Sequence, residues 1–405
     1  MPSALPDGEP APPDGSLPPA ALAQLGTRPF AFYVHVPFCL TRCGYCDFNT
    51  YTAMELGGGA NRASYAATAA REIELARRAL GRRDLPVETV FIGGGTPTLL
   101  PAYELGGLLA AIRNAFGLVD TAEVTTEANP DSVDAHDLQR LAEAGFTRVS
   151  FGVQSVVPHV LRTLERTHDP ARVADAVEWA RAAGLAVSLD LIYGTPGESA
   201  ADWQRSLDAV VELAPDHVSA YALIVEPGTR LATQVRRGDV AAPDDDDLAD
   251  RYVQADETLR RAGYEWYEVS NWARGPEHRC RHNVGYWTGW DWWGVGPGAH
   301  SHVGGVRWWN VKHPSAYAER LGSGRSPAQG REILTAEERR IEQVLLGVRL
   351  ADGVPLAVLG SSGRNAAAGL VADGLLAADN FAAERAVLTM RGRLLADAVV
   401  RELVD

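Results

Sequence analysis

Along the first 225 residues, short apolar runs alternate with longer stretches of helical periodicity. The runs are 31–37 (AFYVHVP), 89–95 (TVFIGGG), 122–129 (AEVTTEAN), 148–154 (RVSFGVQ), 186–194 (AVSLDLIYG) and 217–225 (HVSAYALIV). Their length and their Gly, Pro or Asn boundaries predict strands, and Ala- and Arg-rich segments such as 64–80 and 174–184 predict helices between them. Repeated βα units of this kind imply an α/β fold with a parallel sheet, open or closed towards a barrel. Six units are too few for the complete eight-unit barrel. Ligands bind at the C-terminal ends of parallel strands. The ends at Gly93–Thr98, Glu127–Pro130, Gln154 and Asp190–Gly194 are therefore expected to share one mouth with the end of the first strand.

Four regions follow from the pattern. Residues 1–28, rich in Pro, Gly and Asp, read as a mobile tail. Residues 29–263 hold the βα units, and the acidic run Asp244–Asp247 reads as the solvated start of a helix over 248–262. Residues 264–325 hold eight of the ten Trp, at 266, 272, 287, 290, 292, 293, 308 and 309. A Gly/Ser/Pro stretch near 322–330 reads as a linker to 326–405, where helical patterns at 335–350, 365–376 and 390–403 surround a polar 381–389. That last region is expected to be winged-helix-like. Such folds often bind DNA, but a lid or packing module is the plainer interpretation here.

Composition narrows the partners. The net charge of −14 argues against a nucleic-acid partner, because phosphate contacts need a basic face. The N-terminus has no signal-peptide pattern, and no apolar run reaches 18 residues. Four cysteines in 405 residues do not make a disulfide scaffold. Three of them lie within eight residues, which points to a metal site in a reducing compartment and to a cytoplasmic location.

Those three are Cys39, Cys43 and Cys46, at the end of the first predicted strand. A [4Fe–4S] cluster needs thiolates on its irons, and three ligands leave one iron open. A Cys3His zinc site with His35 satisfies the spacing as well. The stretch Tyr33-x-His35-x-Pro37-Phe38-Cys39-x3-Cys43-x-Tyr45-Cys46-x-Phe48 resembles the signature loop of the radical S-adenosylmethionine (SAM) family. It is most similar to that family's coproporphyrinogen III dehydrogenase-like branch, which includes the oxygen-independent oxidase and the HemW-type heme chaperones. The resemblance extends from about residue 30 to the C-terminus.

It implies an incomplete parallel (β/α)6 barrel of TIM-like type, with a cluster on Cys39, Cys43 and Cys46 that reduces SAM to methionine and a 5′-deoxyadenosyl radical. Carried over by position, it implies that Tyr33, Gly94, Gly95, Thr96, Glu127, Gln154, Arg166 and Asp190 contact SAM. Glycines let backbone approach a ligand, carboxylates suit ribose hydroxyls, and Arg suits a carboxylate. Taken singly, each of these residues is as well explained as a cap, a turn or a surface charge. Two features divide the branch. The oxidase has a further cysteine two residues after the third ligand, where this chain has Phe48. His282-Asn283-x-x-Tyr286-Trp287 matches the HNxxYW motif to which heme binding is attributed in the chaperones. His282 is then the expected iron ligand, with Cys280, His300 and His302 as rivals, nearby Trp faces for the porphyrin, and Arg279 and Arg281 for its propionates. A Trp-rich core with His282 hydrogen-bonded inside it is the competing interpretation. The resemblance thus implies a heme chaperone with heme, SAM and a cluster. Its partners would be heme-acceptor proteins and an electron donor, with at most peripheral membrane association during delivery. The alternative is an oxygen-independent coproporphyrinogen III oxidase.

Overall fold

In the computed structural model, residues 7–56, 62–81 and 83–404 are described. The strands in chain order are β1 (Glu9–Pro10), β2 (Phe30–Val36), β3 (Val87–Gly94), β4 (Leu118–Ala128), β5 (Arg148–Gln154), β6 (Ala186–Tyr193) and β7 (His217–Ala222). They continue with β8 (Glu265–Glu268), β9 (Asn271–Ala273), β10 (Asp291–Val295), β11 (His300–Val303), β12 (Val306–Asn310), β13 (Ala328–Ile333), β14 (Val354–Pro355) and β15 (Arg385–Ala386). β2 to β7 lie side by side in chain order and all run parallel, as the six apolar runs predict. This is the incomplete parallel barrel that the six units imply.

Alternation along each strand divides its residues between two faces. Val90 and Ile92, Val149 and Phe151, and Val187 and Leu189 are fully buried and pack in one core with Leu105, Leu109, Ile112, Trp203 and Leu207 of the surrounding helices. The helices begin where local chemistry stops the chain from staying extended. Asp134 accepts from Asp137 N (2.9 Å) at the start of the helix Ala135–Ala144, which Gly145 ends in the left-handed conformation. Asp244 does the same for Asp245–Arg261, accepting from Asp247 N (3.0 Å), so the acidic run is a helix start.

Three expectations need correction. From Asp7 to residue 28 the chain is not a mobile tail. β1 pairs with β13, and Leu17, Ala21 and Leu25 are buried in the main core. Few large apolar side chains suffice because the sheet edge supplies the other half of the contact. The first six residues lie outside the described ones. The expected linker near 322–330 is in part β13, whose pairing with β12 also buries Ala328. The Trp-rich segment does not present the expected Trp faces either: β10 runs parallel to β2 and extends the sheet at that edge, followed by β11, β12 and β13 in antiparallel order. β9 and β8 extend the opposite edge. Trp266, Trp272, Trp293, Trp308 and Trp309 are consequently buried and offer no open face to a ligand.

Beyond β13, residues 336–404 build a second, smaller core around Val344, Val348, Leu359, Leu370, Val399 and Leu403. β14 and β15 form a two-stranded antiparallel ribbon there. The helical pattern from 390 breaks into Met390–Leu394 and Ala396–Val404. This unit meets the barrel through Arg393, which lies over the Trp266 ring at 3.6 Å and pairs with Asp256 at 3.0 Å. Among the described residues, no helix is long and apolar enough to cross a membrane.

Candidate functional site

After Val36 the chain enters the loop that carries Cys39, Cys43 and Cys46. Tyr51 N donates to Pro37 O (2.7 Å) and Cys39 N to Tyr51 O (3.1 Å), closing the loop on itself. Gly95 N donates to Val36 O (2.8 Å) and Thr96 N to Phe38 O (2.7 Å), which fixes its first turn on the end of β3. Only glycine permits that approach. A Cβ on Gly95 would lie 2.4 Å from Phe38 O and 3.0 Å from Cys39 Sγ. Gly94 has φ +116°, and a Cβ there would lie 2.7 Å from the His35 ring. On its far side the loop is tied by Asn49 Nδ2 to the carbonyls of Pro297 (3.0 Å) and Lys312 (2.9 Å), and by Leu231 N to Gly44 O (2.8 Å).

His35 lies inside this framework. One ring nitrogen is 2.9 Å from Tyr33 OH and the other 2.9 Å from Asn49 O. Burial holds its pKa down at about 4. With both nitrogens engaged, His35 is not a spare fourth ligand for zinc. Among the described residues, no group of three or more His, Cys, Asp or Glu converges tightly enough for a single metal ion. The three thiols suit a larger object. All are half-buried, all line one cavity, and their charges act on one another. Burial pushes Cys39 up to about 11, so a bound group must supply positive charge to hold it as thiolate. An iron–sulfur cluster does so, and three ligands without a fourth match an open iron.

The cavity runs down the inside of the barrel, with a volume of about 530 Å3. Its walls include every expected SAM contact: Tyr33, Gly94, Gly95, Thr96, Glu127, Gln154, Arg166 and Asp190. At the mouth two short hydrogen-bonded chains hold several of these residues. Gly94 N donates to Glu127 Oε2 (3.0 Å), Asn129 Nδ2 to Thr96 Oγ1 (3.2 Å), and Arg166 Nη2 to Asn129 Oδ1 (2.8 Å) and Gly152 O (2.6 Å). Arg166 Nη1 lies 3.8 Å from Cys43 Sγ, and its Nε is buried without a partner. A guanidinium beside the cluster loop with an unused donor fits a ligand carboxylate. Gln154 has φ +64°, rare for a residue with a side chain, at a register shift in β5. Burial, then the charge of Asp190, raises Glu127 to about 8, and burial also raises Asp190. Two buried acids facing one space suit a cationic or hydroxyl-rich ligand. Phe48, Tyr221 and Ile224 line the same cavity and stay 49%, 45% and 65% exposed, an apolar rim at its outer edge.

His282 is at the other end. The helix Arg281–Trp287 passes beneath the strands, where Glu123 accepts from the backbone N of both Arg281 and His282 (3.0 Å each). The His282 ring has Thr89 Oγ1 at 2.7 Å on Nδ1 and Tyr286 OH at 2.9 Å on Nε2, stacks on Phe91, and is 3% exposed. Burial holds its pKa at about 3. The expected iron ligand is therefore a hydrogen-bonded floor residue, because the segment that carries it closes the barrel from below. Of its rivals, Cys280 and His302 are buried, and only His300 is half-buried.

Two groups escaped the motif reading. Asn129 joins Thr96 to Arg166. The inward positions of the strands, Arg148, Ser150, Ser188, His217 and Ser219, form the lower cavity wall. Their signal was available: polar residues at period two in runs otherwise apolar.

Comparison with known proteins agrees with this geometry. The radical SAM superfamily pattern matches residues 33–210. A Mycobacterium tuberculosis protein named heme chaperone HemW is 55% identical over 385 residues, covering 95% of this chain and 97% of that one. The Escherichia coli protein of the same name is 34% identical, covering 81% and 84%. Among solved structures, coproporphyrinogen III oxidase (HemN) of Escherichia coli superposes with a TM-score of 0.79 at 24% identity, covering 95% of this chain and 92% of that one. At that identity the likeness shows the shared fold.

Proposed function

Because the chain belongs to the HemW family of radical SAM proteins, we propose that it is a heme chaperone that holds heme beside a SAM-linked [4Fe–4S] cluster. The observation that carries this reading is the 55% identity to a protein named heme chaperone HemW across 95% of the chain. Family membership implies the cluster and SAM as cofactors. When bound, the cluster supplies one-electron reduction. The protein's own residues do the rest. Cys39, Cys43 and Cys46 hold the iron, and the backbone of Gly94, Gly95 and Thr96 receives the methionyl end of SAM. Arg166 pairs with the SAM carboxylate. Glu127 and Asp190 meet its ribose or its charge, and Tyr33 and Gln154 close the sides. Heme seats on the apolar rim of Phe48, Tyr221 and Ile224, where a flat macrocycle finds exposed carbon beside the cluster loop. A one-electron donor and heme-acceptor proteins of the cytoplasm complete this reading.

One experiment tests it. Anaerobically reconstituted full-length protein is titrated with heme and followed by Soret absorbance. The same sample is then given SAM, a reductant and coproporphyrinogen III. Stoichiometric heme binding without decarboxylation is expected. A chain that binds no heme overturns the chaperone reading, and measurable decarboxylation reassigns the chain to the oxidase class.

A further inference from the structure

The SAM reading leaves the lower half of the cavity without a ligand, and one residue there is conspicuously unsatisfied. Arg148 is 4% exposed and lines the cavity at the start of β5. Its Nη2 reaches Glu123 Oε2 (3.3 Å) and the carbonyl of Arg279 (3.4 Å). Its Nε and Nη1 are buried with no partner. A buried guanidinium donor left unpaired costs more than a neutral one, so such atoms are normally satisfied. Thr125, the β-register partner of Arg148 and also in the cavity wall, has a buried hydroxyl without a partner as well.

The surroundings favour an anion at this point. Glu123, the one carboxylate on Arg148, is shared with the backbone N of Arg281 and His282, so its charge is divided between the guanidinium and a helix start. The neighbouring His217 is fully engaged through Ser188 Oγ (2.6 Å) and Tyr267 OH (2.8 Å), and it brings no negative charge. Arg166 cannot serve the same ligand group. It bonds Gly152 O, four residues above Arg148 on β5, which is about 13 Å of strand. The mouth and the floor thus present two separate guanidinium donors to one cavity.

We infer that the barrel floor is a second ligand site, in which Arg148 Nε and Nη1, with Thr125 Oγ1, bind the carboxylate of a small organic acid or of a propionate side chain on a larger ligand. The inference stands apart from the heme reading, since it needs only the cavity and its floor.

The test uses anaerobically purified full-length protein and two kinds of probe. Propionate and its neutral isostere propionamide are compared by saturation-transfer NMR. Coproporphyrin III, which carries propionates, is compared with etioporphyrin, which carries none, by fluorescence. Saturable binding of propionate but not propionamide is expected, weakened about tenfold or more in Arg148→Lys, which retains the charge Glu123 needs. Binding of coproporphyrin alone, with its advantage over etioporphyrin lost in Arg148→Lys, also sustains the site and identifies the carboxylate as a porphyrin side chain. Equal binding of all probes to wild type and variant overturns the inference and leaves Arg148 merely hydrated. Propionate binding that depends on Arg166 and not on Arg148 overturns it too. Should Arg148→Lys fail to fold, wild-type crystals soaked in propionate decide the matter by density at Arg148 Nη1 or its absence. A protein that binds heme but fails this test keeps its chaperone reading. One that passes but binds no heme loses that reading alone.

Discussion

Glu127 is the buried carboxyl on which the proposed SAM site can be tested most directly. In the free protein its pKa of about 8 keeps it protonated at neutral pH. A cationic ligand favours the carboxylate, so binding SAM there releases a proton. SAM affinity should therefore rise with pH up to about 8 and level off above it, falling by as much as about tenfold per pH unit below. Equilibrium dialysis across pH 6 to 9 checks this, and Glu127→Gln should bind SAM weakly with a flat profile. The cysteines divide just as sharply. Cys39→Ala, Cys43→Ala and Cys46→Ala should each lose the iron–sulfur absorbance, whereas Cys280→Ala should keep it, because Cys280 sits on the floor against Glu123 at 3.6 Å. Gly95→Ala should also lose the cluster, since its Cβ would strike the Phe38 carbonyl. Gly107→Ala, with nothing within 4 Å, should be silent or slightly stabilising.

At the scale of elements, the cysteine loop is tied on its far side to turns that come much later in the chain, at Pro297 and Lys312. Glu72, buried in the helix Arg62–Leu80, accepts from Gly296 N (2.8 Å), Asn310 Nδ2 (2.8 Å) and Tyr317 OH (2.6 Å). It thereby joins that helix to the β10–β11 turn, to β12 and to the helix Pro314–Gly322, next to the carbonyls that anchor Asn49. Glu72→Ala strands three buried donors and should cost about 3 kcal/mol or more. A thermal melt should show the loss, with reduced cluster occupancy as the loop loosens. Glu72→Gln retains an acceptor and should recover part of it. Burial raises Glu72 to about 7, so it binds its proton more tightly folded than unfolded, and its contribution declines as pH rises from about 5 through 7.

Over the whole molecule, the N-terminal residues close the far edge of the sheet. If 7–28 were a mobile tail, its removal would leave the melting temperature unchanged. With Leu17, Ala21 and Leu25 in the core, each leucine contributing roughly 2 kcal/mol, deletion of residues 1–28 should lower it by a few degrees. An unchanged melt would restore the tail.

The six parallel strands, the cysteine loop and the cavity-lining residues near the strand ends were all legible in the sequence, the last through the family resemblance. Each rests on local information: apolar runs of strand length, or motifs a few residues long at the end of such a run. Placement of the Trp-rich segment was not legible. Alternating aromatic and polar residues fit a ligand face and a sheet edge equally well, and only the unpaired edge of β2 decides that β10 lies there. His282 followed the same rule. A histidine beside aromatics is a fair metal ligand until the fold places Thr89 and Tyr286 on its two nitrogens. Period two in the sequence already put Arg148, Ser150, Ser188 and His217 on one side of their strands. Whether that side faced solvent, helices or a shared interior depended on the curvature of the sheet, a property of all its strands together.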